Sequence, residues 1–214
     1  MKRRLFVTAA ALCATAAVLP LFTAPAVGAE NATASGVTTG TSAPDFTLTD
    51  TNGTAHALSE FAGKTVVLEW TNKDCPFVKK FYGVNAMQGW QEKATADGVV
   101  WLTLCSSAPG KQGHMSADEW NDHIAETDIA STAVLMDEAG TVGRRYAAKT
   151  TPHIYVIDGE GVLRYQGAID DTPSTDAADI DGATNYLAAA LAAIDAGEPV
   201  QETDTRPYGC GVKY

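Results

Sequence analysis

Cysteine is scarce in this chain, with four in 214 residues: Cys13, Cys75, Cys105 and Cys210. No two are separated by two residues, so the Cys-x-x-Cys pair of many redox and zinc sites is absent. Four scattered cysteines also exclude a small disulfide-stapled scaffold. Basic residues are short as well, 15 Lys and Arg against 26 Asp and Glu, for a net charge of −11. Such a surface repels nucleic acid and anionic membranes, so neither is an expected partner. Histidine occurs four times, and His56, His114 and His123 show no ligand spacing. His153 with Cys75 makes too thin a donor set for a metal site. The acidic run from Asp170 to Asp181 lacks the twelve-residue ligand pattern of a calcium loop. No metal and no cofactor is expected. There is no internal repeat, and the one long apolar run stands near the N-terminus.

That run, Leu5 to about Leu21, follows Lys2, Arg3 and Arg4 and precedes small residues at Val27 and Ala29. This is the pattern of a secretory signal peptide over 1–29. Pro20 and Pro25 interrupt it and no stop-transfer flank follows, so no stable membrane insertion is expected after cleavage. Cys13 would leave with the signal, and the rest would be exported to a periplasmic or extracellular space where disulfides persist. Residues 30–43, small and polar, read as a flexible leader. One domain is expected over 44–197, long enough to bury a sizeable core, with a C-terminal tail over 198–214.

Within 44–197 the pattern is α/β. "DFTLTD" and "TAHAL" around "TNG" signal a hairpin, and Ser59 reads as the cap of a short helical turn. "TVVLEW" (65–70) and "VVWLTL" (99–104) are β-branched, nearly continuous apolar runs of the kind buried on both faces of a sheet. A helix is expected from Pro76 to about Asp97, kinked near Gly83. Ser116 with Glu119 forms a capping box. "HIYVID" (153–158) and "VLRYQG" (162–167) make an antiparallel hairpin around "GEG". "GATNYLAAALAAIDAG" is a helix closed by Gly197. The tail reads as irregular.

The chemistry gathers at "TNKDCPFVKK". Cys75 follows a buried strand and precedes a helix, the edge of an open α/β sheet where reactive groups collect. A thiolate there faces the positive end of the helix dipole. Lys73, Lys79 and Lys80 stand close in sequence, and together these are expected to pull the thiol below its reference of about 8.5. The plain alternative is a buried, inert cysteine; the proline and lysines favour a reactive one.

"APDFTLTDTNG…LSEFAGKTVVLEW", "DCPFVKKFY" and "TTPHIYVIDGEGVLRYQGAID" resemble the thioredoxin-like redoxins, the group of peroxiredoxin-like (AhpC/TSA) and TlpA/ResA-type exported thiol–disulfide proteins. "CPFVKK", "SSAPGKQG" and the ending "PYGCGVKY" resemble a subfamily with a single active-site cysteine. The resemblance implies a thioredoxin-like fold, a mixed central sheet flanked by helices, with an N-terminal β-hairpin extension. It implies that Thr151 and Pro152 form a cis pair beside Cys75. It also implies that Glu69 is a buried acid moving protons for the thiol, set against the reading of a surface glutamate at a strand end. The sequence departs from the peroxiredoxin pattern in carrying Asn72 three residues before Cys75, where a threonine is usual. No arginine stands on the strand beginning "TTPHIYVID".

Two cysteines are candidates to resolve a disulfide at Cys75. Cys105 lies just past "VVWLTL", the strand that the family fold places beside "TVVLEW", about 4.8 Å away; otherwise it is a small core residue. Cys210 lies between Gly209 and Gly211, a segment suited to swing toward Cys75, with aromatic groups in the flanking "RPYG" and "VKY" able to dock it, and is the first choice. The expected protein is an exported thiol-dependent oxidoreductase with Cys75 as nucleophile, acting on peroxide or protein disulfides and renewed by a thiol reductant. The alternative is a non-enzymatic redox-sensing or metal-binding module on the same fold.

Overall fold

The computed structural model describes residues 36–214. The expected signal segment, Cys13 and the first part of the leader lie outside the described residues. Among the described residues no helix is long and apolar enough to cross a membrane.

β1 (Thr47–Asp50) and β2 (Ala55–Ala57) form the expected hairpin, closed by the Asp50 carboxylate, which accepts from the Asn52 and Thr54 amides. The short turn after it is a 3-10 helix over Leu58–Phe61, and its cap position is Ala57. Ser59 sits inside it, its amide bonded to the Asp45 carboxylate. β3 (Val66–Trp70) and β4 (Val100–Cys105) run parallel, with Trp70 opposite Leu104, and β5 (Ala133–Met136) continues that parallel set. β7 (His153–Ile157) and β8 (Leu163–Gly167) add antiparallel strands on the other side of β3. The resulting order is β2-β1-β5-β4-β3-β7-β8, a mixed sheet.

β3 and β4 are buried at every position because helices or loops cover both faces, as parallel strands require. Alternation along β3 sends Val66, Leu68 and Trp70 into one core layer with Tyr146 and Tyr155, and Val67 into the other with Phe81 and Trp101. The helical stretch after Pro76 is two helices, α1 (Pro76–Tyr82) and α2 (Ala86–Ala96). Asn85 stands between them at φ 59°, a left-handed turn that a kinked continuous helix does not contain. α3 (Ala117–Thr127) carries the expected capping box at Ser116. α4 (Thr141–Arg145) is started by the Asp137 carboxylate, which accepts from the Val142 and Gly143 amides. α5 (Tyr186–Asp195) is capped by the Asn185 side chain.

Two stretches are more ordered than their composition suggests. Residues 40–43 of the expected leader bond to the start of β8: the Gly40 amide donates to Leu163 (2.7 Å) and the Ala43 amide to Gly161 (2.9 Å). The tail is not irregular throughout. Its residues 203–205 bond along Gln166, and β9 (Cys210–Gly211) pairs antiparallel with β6 (Thr150–Thr151).

Candidate active site

Cys75 caps α1 from an extended backbone (ψ 124°), and Pro76 takes the first helical position, where no amide is missed. The residue is 0 % exposed. Its sulfur lies 3.0 Å from the Thr151 carbonyl oxygen, to which the thiol donates. Thr151–Pro152 is a cis peptide, as the resemblance implied. Opposite Thr151 in the β6–β9 register stands Cys210. The tail backbone comes so close there that a Cβ on Gly209 would lie 2.1 Å from the Thr151 oxygen, so only glycine fits.

Cys75 and Cys210 titrate against each other. Burial opposes ionisation of Cys75. It is outweighed by hydrogen bonds from the Cys210 thiol and backbone, the Val78 amide and the Thr151 side chain, which leave the thiol below its ordinary value. Burial first, and then the hydrogen bond to Cys75 and its charge, push Cys210 up to about 11. Of the two thiols Cys75 is therefore the more readily ionised, which suits it to the nucleophilic role. Two of the three lysines expected from the sequence to lower the Cys75 pKa are engaged elsewhere. Lys73 bonds Asp74 at 2.9 Å, and Lys80 turns away to Asp170 at 3.1 Å, its side chain 0 % exposed.

Cys105 is placed elsewhere. It is buried, and its sulfur faces the Gly113 oxygen at 3.6 Å among Met115, Trp120 and Val134. Burial raises its pKa, with Asp137 and Glu138 adding to the rise. The structure thus brings Cys210, not Cys105, to Cys75. Among the described residues the three thiols, Cys75, Cys105 and Cys210, are free.

Glu69 is fully buried, which removes the surface alternative. It accepts from the Tyr82 hydroxyl (2.8 Å), the Trp101 indole (2.9 Å), Gln91 (3.1 Å) and Thr103 (3.4 Å). Burial outweighs these donors and raises its pKa. None of these bonds runs to Cys75. His153 is neutral, pushed to about 3 by burial and by Lys149, and its Nδ1 is engaged by the Lys149 amide and the Tyr155 hydroxyl. Asn72 bonds the Gln112 carbonyl and the Asp74 amide. Arg144 and Arg145 donate to the Ala139 and Asp45 carbonyls. Among the described residues no group of three His, Cys, Asp or Glu is placed to hold a metal ion.

Aromatic residues on either side of Cys210 hold the tail, as their place in "RPYG" and "VKY" suggested. Tyr208 packs against Phe77 with ring centroids 5.8 Å apart, and its hydroxyl bonds the Asp170 carboxylate. At the other end, Tyr214 donates to the Ala148 carbonyl (2.8 Å) and lies under the Arg144 guanidinium, 4.6 Å from its ring centroid. A Cβ on Gly143 would fall 2.6 Å from the Tyr214 hydroxyl, so glycine makes room for that ring. Aromatic residues spaced around a tail cysteine are the one signal that pointed this way.

Comparison with known proteins identifies the family and the fold. Residues 39–166 match the AhpC/TSA family. A thiol-disulfide oxidoreductase ResA of Geobacillus kaustophilus is 36% identical over 135 residues, 60% of this chain and 68% of the relative. The crystal structure of an uncharacterized conserved protein of Geobacillus kaustophilus superposes with a TM-score of 0.74 at 25% identity, covering 83% of this chain and 92% of that one. A hypothetical protein of Sinorhizobium meliloti 1021 has the same fold, with a TM-score of 0.69 at 24% identity over 83% and 95% of the two chains. With a thioredoxin-like sheet, a cysteine at its helix end and a cis-proline beside it, the chain belongs to the AhpC/TSA family and is a redoxin of the TlpA/ResA type, a thiol oxidoreductase.

Proposed function

We propose that Cys75 and Cys210 form one dithiol–disulfide pair, the tail cysteine supplying in space what Cys-x-x-Cys supplies in sequence. One observation carries this reading. The β6–β9 register sets Cys210 opposite Thr151, whose carbonyl meets the Cys75 sulfur. The lowered Cys75 and raised Cys210 support the assignment of attacking and resolving roles.

The substrate class we assign is protein disulfides, in keeping with the activity named for the ResA relative. The Cys75 thiolate attacks one substrate sulfur, the substrate S–S bond breaks, and the other sulfur leaves as a thiolate that takes a proton from water. Cys210 then gives up its proton and attacks the Cys75 sulfur. The Cys75–substrate bond breaks, and the second substrate sulfur leaves and takes up the released proton. The substrate gains two electrons and two protons, and the protein holds a Cys75–Cys210 disulfide. A thiol reductant restores the pair.

The family match supports a second substrate, peroxide. There the Cys75 thiolate displaces an alkoxide or hydroxide from the O–O bond, becoming a sulfenic acid. Cys210 condenses with that acid, releasing water. The arginines nearest in sequence are spent on carbonyls and Asn72 on its own loop, so this reading has less support than exchange. Export belongs to the proposal and rests on the basic, apolar and small-residue segments of 1–29. On that basis the pair works in a periplasmic or extracellular space.

The deciding experiment is a disulfide map of the oxidised protein. A Cys75–Cys210 link is expected, and a Cys75–Cys105 link overturns the pairing. Stoichiometric hydrogen peroxide, followed by intact mass, separates the substrates: no oxidation alongside turnover of a protein disulfide removes the peroxide reading.

A further inference from the structure

Five residues beyond Cys75, α1 carries Lys80, a cation whose side chain is 0 % exposed. A buried ammonium is costly unless several acceptors meet it. Here they come from two distant parts of the chain. Lys80 Nζ donates to the Asp170 carboxylate at 3.1 Å, to the Thr172 carbonyl at 2.9 Å and to the Tyr208 hydroxyl at 3.5 Å. It also lies 5.7 Å from the centre of the Tyr208 ring. Tyr208 in turn bonds Asp170 and packs edge-on against Phe77 of the same helix. Two residues further along the tail is Cys210.

The Cys75 helix is thus tied through one buried ion pair to Tyr208, two residues before the candidate resolving thiol. Nothing in the attack at Cys75 uses Lys80, Asp170 or Tyr208. A buried polar cluster of this kind fixes a geometry more than it adds stability. The geometry it fixes is the approach of the tail: Tyr208 is anchored, Gly209 passes under the Thr151 oxygen, and Cys210 arrives in register.

We infer that Lys80, Asp170 and Tyr208 are positioning residues for the resolving step, a latch that sets the effective concentration of Cys210 at Cys75. The inference rests on the Cys75–Cys210 reading above. Releasing the latch leaves the first attack intact and slows the second, because an unanchored tail spends its time away from the sulfur it must reach.

Glutathione disulfide is a suitable probe. The Cys75 thiolate attacks it, one glutathione leaves as its thiolate, and a Cys75–glutathione disulfide forms. Cys210 then attacks Cys75 and expels the second glutathione. Quenched intact-mass spectra distinguish the adduct from the internal disulfide. In the full-length protein the adduct should be short-lived. In Tyr208→Ala it should form at a rate within about threefold of wild type and persist about tenfold longer or more. Tyr208→Phe, which keeps the packing on Phe77 and loses the hydroxyl, should fall between them. Lys80→Met with Asp170→Asn, which removes both charges together, should match Tyr208→Ala even where its thermal midpoint drops, since loss of stability alone does not prolong an adduct. Equal adduct lifetimes in wild type and Tyr208→Ala overturn the latch and leave the pair. Absence of any internal disulfide in wild type overturns both.

Discussion

Cys75 and Cys105 stand at the same edge of the sheet, past the carboxyl ends of neighbouring parallel strands. Both are buried. By position and burial they are equivalent, yet their chemistry diverges. Cys75 is met by donors: the Val78 amide of the helix it caps, the Thr151 side chain and the Cys210 thiol. Cys105, like Cys75, faces a carbonyl, that of Gly113; its Ser107 backbone and side-chain donors are outweighed by burial, and the carboxylates of Asp137 and Glu138 add to the rise. One environment favours a thiolate and the other a thiol. Low exposure alone therefore does not decide whether a cysteine reacts; the balance between burial and the groups that replace water does.

Replacing each cysteine in turn breaks the comparison most sharply. Cys75→Ser should lower turnover of a protein disulfide on the order of 10³-fold or more, since the attacking group is gone. Cys105→Ala should leave turnover within about twofold and cost about 1 kcal/mol of stability, the usual scale for trimming a small buried side chain. Equal losses of activity would mean that Cys105 takes part in the cycle.

A smaller effect follows from the tail. Gly209→Ala puts a methyl group where the Thr151 oxygen lies, in a backbone at φ 144° that other residues avoid. Strain of this kind costs about 1–3 kcal/mol, which shifts the tail away from Cys75 roughly 5- to 150-fold. Formation of the internal disulfide should slow accordingly, while Cys105 alkylation in the unfolded protein stays unchanged. A Gly209→Ala protein that closes its disulfide at the wild-type rate would show that the β6–β9 pairing is not needed.

Alkylation with iodoacetamide across pH sharpens the contrast without mutation. In the reduced protein Cys75 should react with an apparent pKa below the free-thiol value, so its thiolate fraction at neutral pH exceeds that of an ordinary cysteine. Cys105 should titrate above that value. Cys210→Ala should move the Cys75 curve upward, because it takes away the first of the hydrogen bonds that favour the thiolate. An unmoved curve would assign the low value to the helix end alone.

How much of this was legible beforehand depends on the range of the interaction. β3, β4 and β7 announced themselves because a strand buried on both faces must be written almost wholly in apolar residues. Cys75 was legible from a strand–cysteine–proline–helix order that lies within a dozen residues. The attribution of its low pKa to neighbouring lysines failed because helix geometry carries Lys80 to another face, where Asp170, 90 positions on, takes its charge. β9 has two residues and no periodicity to read. The order of residues 40–43 comes from backbone bonds to β8 that composition does not encode. Sequence chemistry read well where the partners were local, and failed where the fold supplied them.

Glu69 extends the comparison to a carboxyl group, with the smallest expected effect. It has four side-chain donors and still rises, because burial is complete and no backbone amide of a helix end is among them. Its folded value lies above that of the unfolded chain. From about pH 4.3 upward, the unfolded state has released this proton and the folded state still holds it. Its contribution to stability is therefore full at lower pH and is lost as pH rises through the folded value, at about 1.4 kcal/mol for each unit separating the two. Glu69→Gln has no such proton. The wild-type stability minus that of the variant should fall between pH 4 and pH 7 in urea titrations, and a constant difference would mean that the donors match the cost of burial. The Cys75 alkylation curve of the same variant should stay where it was, since the hydrogen bonds of Glu69 run to Tyr82, Gln91, Trp101 and Thr103 and stop short of the sulfur. A displaced curve would instead join the two buried acids into one proton path.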